Sequence, residues 1–345
     1  MTVPPSAELR RRRALLLLVA ALPVVLLAAA SAGSVPLSPP AVLASVLRAA
    51  RIPLEDRLSA PGDTILWVVR LPRVLLAAVV GGGLAVVGAT LQSVFRNPLA
   101  DSGLLGVGAG AALGAVAAVR LGWAGSTFLA LPLAAFVGAM AAVLALYALS
   151  QALGGGTLHG LLLTGISVSA LAAAGTSMLL VATEEFRVKT VLFWLAGGLE
   201  GRGWVHLRIA GVVIVAGCAA LLAASRVLDV LSLGDEEAAA LGMAVHPSRL
   251  LLLLLAALVA GAATAAAGSV PFVGLVAPHA LRPVVGARGR HLLPAAFLGG
   301  ALLVVLADLA TRVVSDRVDL PLGSVTAFVG APYFLLALRS GAADR

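Results

Sequence analysis

The amino-acid sequence predicts an all-α protein that crosses a membrane about ten times. Apolar runs of roughly 20 residues, the length that spans a bilayer as a helix, recur along the whole chain. Only 12% of the 345 residues are charged and 61% are hydrophobic, whereas soluble domains carry about 25% charged residues. The mean hydropathy is +1.07. These observations predict a single transmembrane domain that occupies residues 1–345.

The first apolar run, residues 14–30, follows four consecutive arginines, Arg10 to Arg13, and ends in Ala30-Ser31-Ala32. A basic start, an apolar run and a small-residue end also describe a secretory signal peptide. Because a polytopic chain follows and the arginines anchor the inner side, we favour an uncleaved first membrane helix with a cytoplasmic N-terminus. The proline-rich segment at 36–63 then predicts an external loop.

Nine further runs predict the other spans, with outer and inner loops alternating between them. The second and third runs are rich in glycine and alanine, which let membrane helices approach closely, so we expect this pair to be buried. A glycine-broken stretch at 191–204 predicts a short external or re-entrant piece. Ten spans place both termini in the cytoplasm. The expected ranges of the nine runs are 65–91, 104–119, 128–149, 161–182, 206–224, 250–267, 273–285, 292–310 and 322–338.

The charged residues and the single cysteine exclude several classes of function. The formal net charge is +8, but the arginines are scattered at the ends of apolar runs, a pattern typical of membrane flanks and not of nucleic-acid binding. Cys218 is the only cysteine, which excludes a disulfide framework and any multi-cysteine metal site. The only lysine, Lys189, does not follow a glycine-rich loop, so the chain has no P-loop. Any ATP hydrolysis must belong to a partner.

Catalytic and ion-coupling residues are also hard to find. The five histidines lie in different segments, without an H-E-x-x-H pair, and no G-x-S-x-G nucleophile motif occurs. We therefore expect no catalytic residue, no metal site and no cofactor bound by this chain. An ion-coupled carrier stays open as a remote alternative. The main candidate for its ion-coupling residue is Asp308, which stands four residues before Arg312, so a structural ion pair is the simpler interpretation.

The longest polar interruption in the second half of the chain, residues 225–249, predicts a cytoplasmic loop. Within it, Asp235, Glu236 and Glu237 precede three alanines and end at Gly242, a pattern typical of a short helix with a favourable dipole and a C-terminal stop. This helix is either a solvated loop element or a rigid element that fits a cleft on a cytoplasmic ATPase.

Seven short motifs occur in an order typical of one transporter family. They are RLPR at 70–73, LQ with RNPLA at 91–100, GLLGV at 103–107, LG with ALG at 233–242, FVGLVAPH at 272–279, AD with R at 307–312, and LP with TA and GAP at 320–332. With these motifs the chain resembles the FecCD family of binding-protein-dependent ABC importer permeases, which move iron–siderophores, haem and vitamin B12. The resemblance covers residues 70–338.

The resemblance implies the fold of a type II ABC importer permease in a bacterial cytoplasmic (inner) membrane. It also implies a second permease copy, as a homodimer or a close heterodimer, with the pathway along the two-fold axis. Two ATPase subunits, which would hold ATP and Mg, and an extracytoplasmic substrate-binding protein are the other implied partners. Ferric siderophore is the expected substrate on family frequency, while haem and vitamin B12 stay open because no residue decides among them.

The resemblance also implies three sets of site residues. In relatives, the arginines of the first and sixth motifs meet glutamates of the binding protein. The binding-protein docking residues would therefore be Arg70, Arg73 and Arg312; ordinary interfacial anchoring is the alternative for them. The ATPase-coupling residues would be Gly234, Glu236, Glu237, Ala238, Leu241 and Gly242. The cytoplasmic gate would be formed by Asn97, Leu99, Leu158 and His159. The glycines at 154–156 and His159 depart from the more polar or basic turn that the family pattern leads us to expect.

Overall fold

The computed structural model describes residues 5–52, 58–125, 127, 129–154, 157–314 and 320–343. Every regular element in these ranges is helical. A π-helical turn, Ile65–Arg70, joins α3 to α4, and 3-10 helices occur at Ser102–Leu105 and Trp123–Gly125. The α-helices are α1 (Pro5–Ser31), α2 (Pro39–Ala49), α3 (Ala60–Thr64), α4 (Leu71–Val94), α5 (Val107–Arg120), α6 (Ala130–Gly154), α7 (Leu158–Val181), α8 (Glu185–Ala196), α9 (Trp204–Ala223), α10 (Ser225–Leu231), α11 (Asp235–Ala240), α12 (Val245–Ala267), α13 (Val273–Val285), α14 (Gly289–Val313) and α15 (Leu322–Ala343).

Ten apolar helices match the ten runs expected from the sequence. In the described residues, seven helices are long and apolar enough to cross a membrane, and three shorter apolar helices are Val107–Arg120, Val273–Val285 and Leu322–Leu336. The all-helical fold class is thus confirmed. Some boundaries differ: helical structure runs through residues 60–94, beyond the expected 65–91, and α8 (Glu185–Ala196) begins before the glycine-broken stretch expected at 191–204.

Helix α4 forms the centre of the bundle. It packs against α9, α12, α13 and α14, and 89% of its most apolar stretch is buried inside the chain. Two glycines allow this packing: a Cβ atom on Gly88 would lie 1.9 Å from the carbonyl oxygen of Gly274 in α13, and one on Gly81 would lie 2.2 Å from that of Gly300 in α14. The prediction that the second run is buried is therefore confirmed, and close backbone approach is the reason.

The remaining helices surround this centre. Helix α5 packs between α6 and α7, and α12 connects this group to α4 and α9. Helix α1 packs on α14 at the edge of the bundle. On α7 and α15, large apolar side chains such as Val181 (90% exposed) and Phe328 (85% exposed) are not covered by the chain itself. These faces are suited to lipid or to a second membrane subunit.

Candidate functional site

The three arginines predicted to dock a binding protein lie in one region: two of them pair with a buried aspartate, and the third binds the end of α1 beside Arg312. We call Arg70, Arg73, Arg312 and Asp308 the outer arginine cluster, after the orientation predicted from the sequence. The Asp308 side chain is buried; Arg73 Nε donates to its Oδ1 at 2.8 Å, and Arg312 Nε lies 3.2 Å from its Oδ2. The expected structural pair of Asp308 with Arg312 is thus present within α14, and Arg73, at the start of α4, shares the aspartate.

Two of these arginines bind the end of α1. Arg70 is 5% exposed and donates to the carbonyl oxygens of Ala30 and Ser31 at 3.0 and 2.8 Å. Arg312 Nη1 donates to those of Ala29 and Ala32, both at 2.9 Å. The last carbonyls of a helix have no partner within the helix, so these arginines satisfy the C-terminal end of α1. Arg70 therefore has a structural role here, whereas docking by all three arginines stays a prediction.

Arg73 has a second, looser partner, Glu200. The distance from Arg73 Nη2 to Glu200 Oε1 is 3.9 Å, and the Glu200 side chain is 52% exposed. Sequence analysis did not select Glu200, because nothing in a single sequence places the loop before α9 beside the start of α4. The only signal was a charged pair, Glu200 and Arg202, between glycines in the glycine-broken stretch.

A cavity of about 230 Å³ opens beside Glu200. It is lined by Trp194, Arg202 and Pro321, among others. The Nε1 atom of Trp194 and the Nε atom of Arg202 are buried and lack a hydrogen-bond partner in the described structure. Burial lowers the pKa of Arg202. Unpaired buried donors are unfavourable, so this cavity is suited to a group that accepts hydrogen bonds.

A second polar cavity, of about 140 Å³, lies between α4, α12 and the start of α13. Asp101, Ser102, Thr264 and Ser269 contribute polar groups to it. Asp101 Oδ1 accepts the N–H of Gly103 at 2.9 Å, and burial raises the pKa of Asp101. The sequence analysis did not select these residues either.

A polar bridge ties α13 to α4 near this cavity. Arg282 Nη2 donates to Gln92 Oε1 at 3.0 Å, and Gln92 Nε2 donates to the carbonyl oxygen of Gly274 at 3.1 Å. Gln92 is buried, so its two polar atoms are satisfied by the neighbouring helix and not by water. Movement of α13 along α4 would break both bonds.

Residues 95–99, which we call the inner turn, follow α4 directly and contain two predicted gate residues. Asn97 Oδ1 accepts the N–H of Leu99 at 2.9 Å, which fixes the turn, and Leu99 is 44% exposed. Leu158 begins α7, where Thr157 Oγ1 accepts the N–H of Gly160 at 3.1 Å and caps the helix. The side chain of His159 and residues 155–156 lie outside the described part of the structure. The gate stays a prediction.

Residues 225–249, the coupling segment, contain two short helices, α10 and α11. Helix α11 starts after Gly234 (φ +139°) and is followed by Gly242 (φ +80°), conformations that favour glycine. Ala238 is fully buried and fixes α11 on the bundle. The other predicted coupling residues, Glu236, Glu237, Leu241 and Gly242, are exposed, with Leu241 66% exposed. A partner can therefore reach this face of α11.

Helix α11 is held at its first residue, where Arg249, 3% exposed, donates through Nη2 to Asp235 Oδ1 at 2.5 Å. The Arg96 side chain of the inner turn comes close to the same end of α11, since a Cβ atom added to Gly234 would lie 3.3 Å from Nη1 of Arg96. The predicted coupling and gate regions are therefore neighbours at Arg96, a residue that the sequence analysis did not select.

The described residues contain no group of three or more His, Cys, Asp or Glu side chains that could hold a metal ion. The expectation that this chain binds no cofactor stays a prediction.

Comparison with known proteins finds matches over nearly the whole chain. A family model described as the FecCD transport family matches residues 18–340. The cobalamin import system permease protein BtuC of Halobacterium salinarum is 40% identical over 287 residues, which cover 83% of this chain and 76% of the relative. The hemin transport system permease protein HmuU of Yersinia pestis is 42% identical and the match covers 79% and 83% of the two chains. The Fe(3+) dicitrate transport system permease protein FecD of Escherichia coli is 40% identical, with 79% and 85% covered.

Two solved structures also match this chain over most of its length. An inward-facing conformation of a metal-chelate type ABC transporter superposes with a TM-score of 0.83 at 30% identity, covering 95% of this chain and 99% of the other. PsaBC from Streptococcus pneumoniae superposes with a TM-score of 0.58 at 20% identity, over 80% and 93% of the two chains, a similarity of fold alone.

Proposed function

This chain belongs to the FecCD transport family, and on that basis we propose that it is the permease subunit of a binding-protein-dependent ABC importer for an iron chelate. The observation that carries the proposal is the close approach of Arg96, in the inner turn, to Gly234 at the start of the exposed helix α11. A force applied to α11 by a partner ATPase would act next to the end of α4. In an ABC importer, such an arrangement would transmit movement of the ATPase to the membrane helices.

The substrate is the finer part of the proposal. We propose a ferric siderophore first, with haem and vitamin B12 as alternatives. Relatives named for cobalamin, hemin and Fe(3+) dicitrate are 40%, 42% and 40% identical to this chain, so sequence identity does not rank them. The cavities that we describe contain no set of side chains specific for one chelate, and selectivity would then lie mostly in the binding protein.

The transport cycle is proposed to proceed by alternating access. ATP-driven closure of two ATPase subunits moves α11, and the tightly packed helices transmit this movement to the inner turn. The polar bridge of Gln92 with Arg282 and Gly274 gives α13 a defined position in one of the two packings. A second copy of the chain would cover the exposed faces of α7 and α15. An ion-coupled carrier is the alternative that the tests below separate from this cycle.

Docking of the binding protein is proposed at the outer arginine cluster, and the structure selects the variants that test it. Arg70 is too deeply buried for a clean test. If a carboxylate of the binding protein pairs with Arg73, Glu200 competes for the same guanidinium. Arg73→Gln should weaken the affinity by about tenfold or more, the value of a charged hydrogen bond. Glu200→Gln should tighten it by up to about fivefold, the value of a surface ion pair.

The measurement is the affinity of the proposed binding protein for the permease in detergent. Arg120→Gln, an exposed arginine at the end of α5, is the control and should leave the affinity unchanged. Unchanged affinity in Arg73→Gln, or weaker binding in Glu200→Gln, would contradict docking at this cluster. Quenching of the binding protein's fluorescence by ferric siderophores, haem and cobalamin would separately decide the substrate.

A further inference from the structure

A basic cavity lies where the start of α1 meets the connection between α13 and α14. Its volume is about 300 Å³. Arg10 and Arg11 of α1, together with Arg288 and His291, line it beside the backbone of residues 283–287. The proposed transport cycle uses none of these side chains. We call this feature the basic cavity.

The acids closest to the basic cavity already have partners. Glu8 Oε1 accepts a hydrogen bond from Arg12 at 2.9 Å and lies 3.8 Å from Arg11. Asp229 of α10 accepts the N–H of Gly289 at 2.6 Å, at the start of α14. Neither carboxylate lines the cavity. The positive charge inside it is therefore only partly compensated by the chain.

One of the cavity's arginines, Arg11, is held against the protein, whereas Arg10 and Arg288 are exposed at its opening. Only 19% of the Arg11 side chain is exposed, so its charge is held against the protein. Its field acts on His291 together with those of Arg288 and Arg290, and that of Asp229 opposes them. Arg290 Nε donates to His291 Nε2 at 3.0 Å, which leaves Nδ1 as the hydrogen-bonding position of that ring. Several guanidinium groups around one concave site favour a phosphate group over a single carboxylate.

The neighbouring surface indicates where that phosphate comes from. Along α1, beyond the arginines, Leu16, Leu17 and Val24 are 68%, 70% and 65% exposed. An acyl chain can lie on this apolar surface while the headgroup reaches the cavity, whereas a soluble anion gains nothing from it. We propose that the basic cavity binds the phosphate of an anionic phospholipid from the adjoining leaflet. The inference does not depend on the transported substrate.

The test uses the purified full-length chain in phosphatidylcholine-containing micelles, titrated with phosphatidylglycerol and followed by native mass spectrometry. The variant is Arg11→Gln with Arg288→Gln. Each arginine near an anionic lipid contributes about fivefold in affinity, so the double variant should bind about 30-fold more weakly. Arg226→Gln is the matched control, because Arg226 is exposed on α10 at the same end of the bundle but lies outside the cavity. It should change the affinity by less than about twofold.

Further measurements distinguish a lipid site from a site for soluble anions and from diffuse electrostatic attraction. Glycerol phosphate and inorganic phosphate, added to the micelles, should not displace the lipid; displacement at similar concentrations would show a site for soluble anions and overturn the lipid proposal. Equal weakening in the double variant and in Arg226→Gln would show diffuse attraction without a site, and would also overturn it. If the double variant melts earlier than the unmodified chain without phosphatidylglycerol, Arg288→Gln alone replaces it, with an expected loss of about fivefold.

Discussion

Replacing Gly88 by alanine tests the tight packing of α4 against α13. The added Cβ would lie 1.9 Å from the Gly274 carbonyl oxygen, and no flexible side chain is available to move, because the nearest atoms are all backbone. The two helices must separate by about 1 Å before the contact becomes tolerable. That separation would stretch the bond from Gln92 Nε2 to Gly274, now 3.1 Å, beyond hydrogen-bonding distance.

The magnitude follows from two opposing effects. Overpacking in a well-packed interior costs about 1–3 kcal/mol, and a gap of about 1 Å removes up to half of the dispersion energy of the facing atoms. Alanine in place of glycine in a helix returns about 0.5–1 kcal/mol. We expect Gly88→Ala to lower the free energy of unfolding by about 1–3 kcal/mol.

Gly211→Ala is the matched control. Gly211 is also buried in the middle of a helix, α9, but an added Cβ would meet only Leu207 Cδ1, at 3.5 Å. It should be neutral or stabilising by up to about 1 kcal/mol. The assay is unfolding by sodium dodecyl sulfate in mixed micelles, followed by tryptophan fluorescence. If Gly88→Ala is as stable as Gly211→Ala, the close approach of these two backbones is not what holds the centre of the bundle.

Three further predictions concern charged groups. Asp308→Asn leaves two partly buried arginines without their shared, fully buried counter-charge and should lower the unfolding free energy by about 3 kcal/mol or more. Glu200→Gln, at a half-exposed position, should alter it by less than about 1 kcal/mol, and equal effects in the same assay would contradict the assignment. Burial raises the folded pKa of Asp101 above its unfolded value, so its ionised form destabilises the fold at neutral pH and this penalty disappears as the pH falls below about 4. The Asp101→Asn variant should therefore be at least as stable as the unmodified chain at pH 7.5 and should lose any advantage as the pH falls below about 4; the opposite trend would refute the burial argument. Arg249→Gln removes the partner of Asp235 and should speed proteolysis within residues 232–243 while the rest of the chain stays resistant; an unchanged cleavage rate would show that this ion pair does not hold α11.

The fold was largely predictable because hydrophobic runs and small-residue packing are local properties of the sequence. The eighth run, 273–285, coincides with α13 as observed. The third run begins at Val107 and not at residue 104, because residues 102–105 form a 3-10 helix capped by Asp101. The second run extends past its expected start because a π-helical turn continues the helix that begins at Ala60, in the segment predicted to be external.

The candidate site was predictable only in part. Motif positions selected Arg73 and Arg312, and the i,i+4 spacing indicated the pair of Asp308 with Arg312. The contacts of Arg70 with the end of α1 join residues about 40 positions apart. The close approach of Arg96 to Gly234 joins segments much farther apart in the sequence. A single sequence does not determine which distant polar groups meet, since many pairings satisfy the same local pattern.

The most direct test of the central claim is uptake by proteoliposomes that contain this chain, with and without the partner ATPase and binding protein. We expect accumulation of the cargo only when both partners and ATP are present, and no effect of an uncoupler while ATP is held constant. Concentrative uptake by the chain alone, driven by an ion gradient and abolished by the uncoupler, would contradict the account.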